Sequence, residues 1–182
     1  MVHYTRYTEF MQTERIAAKT GDDGYTDIIG GKRLPKDHPI IECLGTIDEL
    51  NAFLGDAKAA SKNTAAAEVI NTIQKDLYTI MGAIAGSSGA SGSNRTSGSL
   101  GAEGLDVDRL DALIGELESK LPPLNAFTVP GANPVSAKLH IARAVCRRAE
   151  RRLSSLGGET AAIIPYINRL SDLLFLLAES AQ

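Results

Sequence analysis

Apolar residues recur at helical spacing in five stretches of the chain, and each stretch predicts a helix. The first carries Ile47, Leu50, Leu54 and Ala57 on one face. Thr46, with Glu49 three residues on, makes a capping box that places the start of this helix at Thr46. The second stripe is Ile70, Ile73, Leu77, Ile80 and Ile84, in a helix from about Ala65. The third helix follows Asp106, a favoured N-cap residue type, and carries Leu110, Leu113, Leu117 and Leu121 until Pro122 and Pro123 stop it. The fourth, from Pro134, reads Val135, Leu139, Ala142, Cys146, Ala149 and Leu153 in alternating steps of four and three, and Gly157 and Gly158 end it. The fifth, Ala161 to Ala178, carries Ile163, Ile167, Leu170, Leu174 and Leu177, with Pro165 tolerable only in its first turn. Five such seams without a fixed-period repeat predict an all-α, five-helix bundle.

The remaining segments differ from one another. Residues 16–41 lack helical periodicity and are dense in turn residues, so they read as an ordered loop with room for a short strand. Residues 86–104, almost all Gly and Ser as far as Gly101, read as a flexible surface loop. Residues 1–15 mix polar, aromatic and charged types without an apolar signal core, which predicts a loose tail before a single domain spanning 16–182, in a cytoplasmic protein. Hydrophobic residues are 43% and charged residues 23%, which excludes a largely disordered chain. A formal net charge of −3 argues against a globally basic nucleic-acid binder, and no apolar run is long enough to span a bilayer. Cys43 and Cys146 have no metal-ligand spacing. None of His3, His38 and His140 has a Glu three residues before it, so a ferritin-like carboxylate metal site finds no support.

Five places hold candidate chemistry. Lys19, Thr20, Gly21, Asp22, Asp23, Gly24, Tyr25 and Thr26 form a run in which glycines let backbone N–H groups approach an anion while Lys and Thr add donors. The same residues also suit a plain surface turn. Gly30, Gly31 and Lys32 are followed by Arg33, so they do not complete a Walker A loop. On the fourth helix His140, Arg143, Arg147 and Glu150 share one stripe, and Arg148, Arg151 and Arg152 thicken the positive field. Five arginines within ten residues of an acidic chain suit a phosphate ligand or an acidic neighbour, against the alternative of a solvated basic face. Asn168 and Asp172 sit one turn apart on the fifth helix, as ligand contacts or as a polar stripe. Asp48 stands near the predicted start of the first helix, where it would complement the dipole. Phe127 precedes the Pro130–Gly131 turn, a setting typical of a core plug under a loop. No spacing argues for a Ser-His-Asp or Cys-His arrangement.

The order of these motifs is more specific than any one of them. The run Lys19 to Gly24, then Gly45 to Asn51, Phe127 with Pro130–Gly131, Leu139 to Arg151, and Ile167 to Asp172 resemble the PduO-type corrinoid adenosyltransferases over about residues 17–85 and 105–180. The resemblance implies a homotrimer of five-helix bundles with ATP bound between neighbouring subunits. It implies that Lys19, Thr20, Gly21, Asp22, Gly24 and Thr26 wrap the triphosphate, with Lys36 adding a cation and Mg²⁺ accompanying the phosphates. By the same resemblance Arg147, Glu150, Arg151 and Asn168 hold the nucleotide, Asp48 pairs with Arg143 at the corrinoid pocket, and Phe127 lies beneath the corrin ring. Ala18 stands where family members usually have Thr, and Ala132 where they have a second Gly. The implied reaction moves the 5′-deoxyadenosyl group of ATP to the cobalt of cob(I)alamin and releases triphosphate. The cobalt supplies the nucleophile, so the absence of a protein nucleophile is consistent with it. A reductase and an adenosylcobalamin-dependent acceptor enzyme are the implied partners. A non-catalytic carrier or sensor using the same sites, and a helical module whose arginines bind an acidic partner, are the alternatives.

Overall fold

A computed structural model describes residues 19–29, 31–61, 64–87, 104–123 and 127–182. Ala18, the tail 1–15 and most of the Gly/Ser segment lie outside the described residues. Two three-residue strands come first, β1 (Tyr25–Asp27) and β2 (Arg33–Pro35), paired antiparallel with Thr26 opposite Leu34. Five helices follow: α1 (Pro39–Ala60), α2 (Ala65–Ser87), α3 (Val107–Lys120), α4 (Pro134–Leu156) and α5 (Ile164–Ser180).

The start of α1 corrects the sequence reading. Pro39 opens the helix, and His38 caps it by accepting from the Ile40 N–H at 3.2 Å through Nδ1. Thr46 is buried inside the helix, and its Oγ1 donates to the Glu42 carbonyl at 2.7 Å, so it caps nothing. The apolar stripe simply begins a turn earlier, at the fully buried Cys43. Two other boundaries shift. Gly86 and Ser87 belong to α2 rather than to the loop. The start of α5 moves from Ala161 to Ile164, because a 3₁₀ turn at Gly158–Thr160 precedes it, closed by Thr160 Oγ1 donating to the Leu153 carbonyl at 2.9 Å. The cap of α3 stands as expected, and Asn133 caps α4 just before the expected start at Pro134. Asp106 accepts from Arg109 N–H at 2.8 Å, and Asn133 accepts from the N–H groups of Val135 and Ser136 at 2.9 and 3.0 Å.

The apolar stripes meet in one core, with α1 against α2 and α4, and α5 against α3 and α4. Ile47, Leu50, Leu77, Leu139, Leu153 and Leu170 are fully buried there. Each such side chain contributes about 1.5–3 kcal/mol relative to exposure. Helix α3 has only Leu110 fully buried. A polar tie compensates: Arg109 pairs with Asp76 of α2, and the same carboxylate accepts from the buried Tyr166 hydroxyl of α5 at 2.5 Å. Along the α1–α4 seam, Glu42, Glu49 and Asp56 pair with Arg152, Arg148 and Lys138. Among the described residues no helix is long and apolar enough to cross a membrane.

Candidate functional site

The loop before β1 is built around Arg33. Its Nη2 donates to the Thr20 carbonyl at 2.6 Å and to both Asp23 carboxylate oxygens at 2.7 and 2.8 Å, while Nη1 reaches Asp27 at 3.4 Å. The hydrogen bond from Arg33 holds the Asp23 carboxyl below its ordinary range. Lys19 adopts φ +58° and Gly24 φ +85°, so the chain bends twice within six residues. Lys36 closes the turn from the other strand, its N–H donating to the Gly24 carbonyl at 2.9 Å. Its ammonium lies against Gly21, where an added methyl would stand 3.1 Å from Nζ and 3.2 Å from the Tyr25 carbonyl. A side chain at Gly21 would therefore crowd Lys36 and the Tyr25 carbonyl. The structure thus gathers Lys19 to Gly24, Thr26 and Lys36 at one end of the hairpin. Sequence reasoning passed over Arg33 as an organiser. Its signal lay in the β-register, which sets it opposite Asp27.

Helix α4 separates its arginines by face. Arg148 and Arg152 point toward α1 and are neutralised by Glu49 and Glu42. They do not thicken a positive field, as their sequence density suggested. Arg143, Arg147 and Arg151, four residues apart, make no ion pair or hydrogen bond among the described residues. Arg147 and Arg151 are exposed, while Arg143 is half-buried with its guanidinium 5.9 Å from the Phe175 ring and its Nε lacking a partner. Beside them Glu150 accepts from Asn168 Nδ2 at 2.9 Å, and Asn168 Oδ1 accepts from Arg169 at 3.2 Å. Asp172 pairs with Arg169 at 3.6 Å. His140, farther along this stripe, is buried. Burial, reinforced by Arg143, holds it below the usual histidine range against the opposing pull of Glu179.

Two expectations change. Phe127 is no core plug: it is fully exposed, and Val129 nearly so. Asp48 is exposed on α1 and forms no ion pair with Arg143 within one chain, because Arg143 faces the α5 side of α4 while the α1 seam is filled by other pairs. No hydrogen bond or ion pair joins the hairpin loop to α4 or α5 among the described residues. Neither cysteine offers a nucleophile. Burial pushes the Cys43 thiol up to about 12 and raises that of Cys146 further.

The candidate features are therefore a loop with two lysines and a close-packed glycine, an arginine stripe without ion pairs among the described residues beside a Glu–Asn pair, and an exposed aromatic. Comparison with known proteins gives this combination its context. The sequence model for cobalamin adenosyltransferase matches residues 16–181. The chain is 36% identical over 168 residues to the corrinoid adenosyltransferase PduO of Citrobacter freundii, covering 91% of this chain and 49% of that protein. It is 37% identical over 172 residues to the corrinoid adenosyltransferase MMAB of Homo sapiens, covering 92% and 68%. A further corrinoid adenosyltransferase of Citrobacter freundii is 38% identical over 168 residues, covering 90% and 93%. The chain thus spans about half the length of the first of these relatives and nearly all of the last. Its fold is similar to that of a variant PduO-type ATP:corrinoid adenosyltransferase from Lactobacillus reuteri complexed with cobalamin and ATP, with a TM-score of 0.76 and 28% identity, covering 92% of this chain and 90% of that one. With the motifs in order, the bundle in place and the match running over nearly its whole length, the chain belongs to the cobalamin adenosyltransferase family.

Proposed function

We propose that this chain is an ATP:corrinoid adenosyltransferase, which transfers the 5′-deoxyadenosyl group of ATP to the cobalt of cob(I)alamin. The observation that carries the reading is the sorting of arginines on α4. Two are spent on α1, and three at four-residue spacing stand without a counter-charge beside Glu150 and Asn168. Like charges so spaced repel by a few tenths of a kcal/mol per pair, and a polyanion between them removes that cost. The bond that forms is cobalt–carbon, using the electron pair of Co(I). The bond that breaks joins the 5′ carbon to the α-phosphate oxygen, whose electrons leave with triphosphate.

The chain's residues supply alignment and charge. Lys19, Lys36 and the backbone N–H groups of Thr20, Gly21 and Asp23 would cradle the triphosphate, with Arg147 and Arg151 opposing its charge. Glu150 and Asn168 would hold the nucleoside. Mg²⁺ belongs with the phosphates: among the described residues no three acidic, His or Cys side chains cluster as a cage, and Mg²⁺ typically takes one or two carboxylates plus phosphate oxygens. The exposed Asp22 is available as such a carboxylate. Phe127 would cover the lower cobalt face and keep water and a lower ligand away.

No hydrogen bond or ion pair joins the hairpin loop to the arginine face among the described residues, which supports a homotrimer with each site shared by two subunits, and with Asp48 meeting Arg143 across the boundary. The natural setting would be cytoplasmic, with a reductase delivering Co(I) and an acceptor enzyme taking the product. The test is incubation with ATP and chemically reduced cobalamin. Formation of the adenosylcobalamin spectrum with one triphosphate per cobalt is expected. Binding of both ligands without triphosphate release would establish a carrier or sensor instead.

A further inference from the structure

Two hydrogen bonds fasten residues 127–133 to the end of α5. Asn133 Nδ2 donates to the Ala181 carbonyl at 2.5 Å, and Thr128 Oγ1 donates to Glu179 Oε2 at 2.9 Å. The first serves a residue already fixed as the cap of α4. The second serves no helix. Thr128 stands between Phe127 and Val129, which project into solvent, and its side chain alone turns back to the bundle.

The acceptor is unusual. The Glu179 side chain is only 10% exposed. A carboxylate at that depth is costly unless hydrogen-bonded. Its Oε1 has no hydrogen-bond partner and stands at ion-pair distance, 3.4 Å, from His140 Nε2, and neither His140 ring nitrogen has a hydrogen-bond partner. Phe175 closes the far side, its ring centroid 6.0 Å from that of His140, with Arg143 over the same ring. Thr128 is thus the one side-chain hydrogen-bond donor that this carboxylate has among the described residues. A hydroxyl bonded to a largely desolvated carboxylate makes a charge-assisted contact, stronger than a neutral one.

We propose that Thr128 and Glu179, backed by His140, form a clasp that positions Phe127: the hydroxyl–carboxylate bond holds the exposed segment on the end of the bundle and sets where the aromatic ring stands. Its consequence for catalysis rests on Phe127 meeting the corrinoid. Both residues are positioning residues, since neither touches a reacting atom.

Thr128→Val removes the donor at nearly constant shape, and Thr128→Ser restores it. Native-state digestion with chymotrypsin, followed by mass spectrometry of the cut after Phe127, reads the clasp without any ligand. Thr128→Val is expected to speed that cut about threefold to tenfold and, because it leaves Glu179 without its donor, to lower the Tm by a few degrees, with Thr128→Ser near wild type in both. In the adenosylation assay kcat should fall severalfold while the KM for ATP holds. A Thr128→Val protein cut at the wild-type rate overturns the clasp. Faster cutting with kcat and the corrinoid KM both unchanged overturns its role in positioning Phe127 for the reaction. A wild-type protein that turns over nothing, yet shows the cleavage pattern, refutes the transferase reading and leaves the clasp standing.

Discussion

Arg147 and Arg152 lie on the same helix with the same charge and are expected to behave oppositely. Arg147→Ala removes an exposed guanidinium with no ion pair or hydrogen bond among the described residues, so its loss should appear in ATP-dependent turnover and not in stability. A charge-assisted contact to triphosphate is worth about 1.5–3 kcal/mol, or roughly tenfold to 150-fold in kcat/KM. Arg147→Lys should recover only part, because Lys offers no planar fork. Arg152→Ala breaks a half-exposed pair with Glu42 and should shift stability by under about 1 kcal/mol, with turnover intact. Steady-state kinetics and urea melts of the three variants decide the matter; equal kinetic losses at both positions would show that the faces are misassigned. Phe127→Ala is the companion case. A buried aromatic lost to Ala would cost about 3–5 kcal/mol, but Phe127 is fully exposed. The variant should therefore melt like wild type and bind ATP normally while turnover collapses. A lowered Tm would return the residue to a packing role.

At the level of elements, α3 is the piece held least by its own apolar face. Leu110 is its one fully buried side chain, Val107, Leu113, Ile114 and Leu117 pack partly buried on the core, and the Asp76–Arg109 pair with the Tyr166 hydroxyl, together with Asp111–Arg169, adds polar ties to α2 and α5. Asp76→Ala leaves a half-buried guanidinium and a buried hydroxyl without their acceptor. Each unsatisfied group costs about 1–3 kcal/mol, so the denaturation midpoint should fall markedly, while Asp76→Asn, which keeps an acceptor, should fall less. Equilibrium urea unfolding of both variants measures this, and equal small effects would mean that α3 is anchored otherwise. The tie was not legible beforehand, because Asp76, Arg109 and Tyr166 are remote in sequence and each reads locally as a surface or core residue. The start of α1 was misread for a related reason. Thr46 and Glu49 satisfy the capping-box pattern, but a hydroxyl can equally donate to the carbonyl four residues back, and burial of Cys43 extended the helix past it.

For the whole molecule, no hydrogen bond or ion pair joins the hairpin loop to the arginine stripe among the described residues, and the proposed homotrimer brings them together from two copies. Light scattering should give about three times the 19.3 kDa chain mass. A sharper check mixes two inactive variants. Lys36→Ala spoils the loop, and Arg147→Ala spoils the helix face. Co-refolded in equal amounts, they should restore about a quarter of wild-type activity, since that share of shared sites draws both halves intact from different subunits. No recovery on mixing would place loop and helix face of one site in the same subunit.

The five apolar stripes, the cap at Asp106, the start of α4 at Pro134, and the grouping of His140, Arg143, Arg147 and Glu150 on one face were all set locally, because a helix fixes which residues three and four apart stand together. The loop was legible too, since glycine at position 24 announces a left-handed bend that other residues resist. Pairing across helices was not. Which arginines keep a free charge, where Phe127 stands and what Thr128 grips depend on acids and surfaces contributed by α1 and α5, dozens of residues away. Spacing along one helix decides its faces; only the packing of the other helices decides which face is covered, and so which charge is left for a ligand.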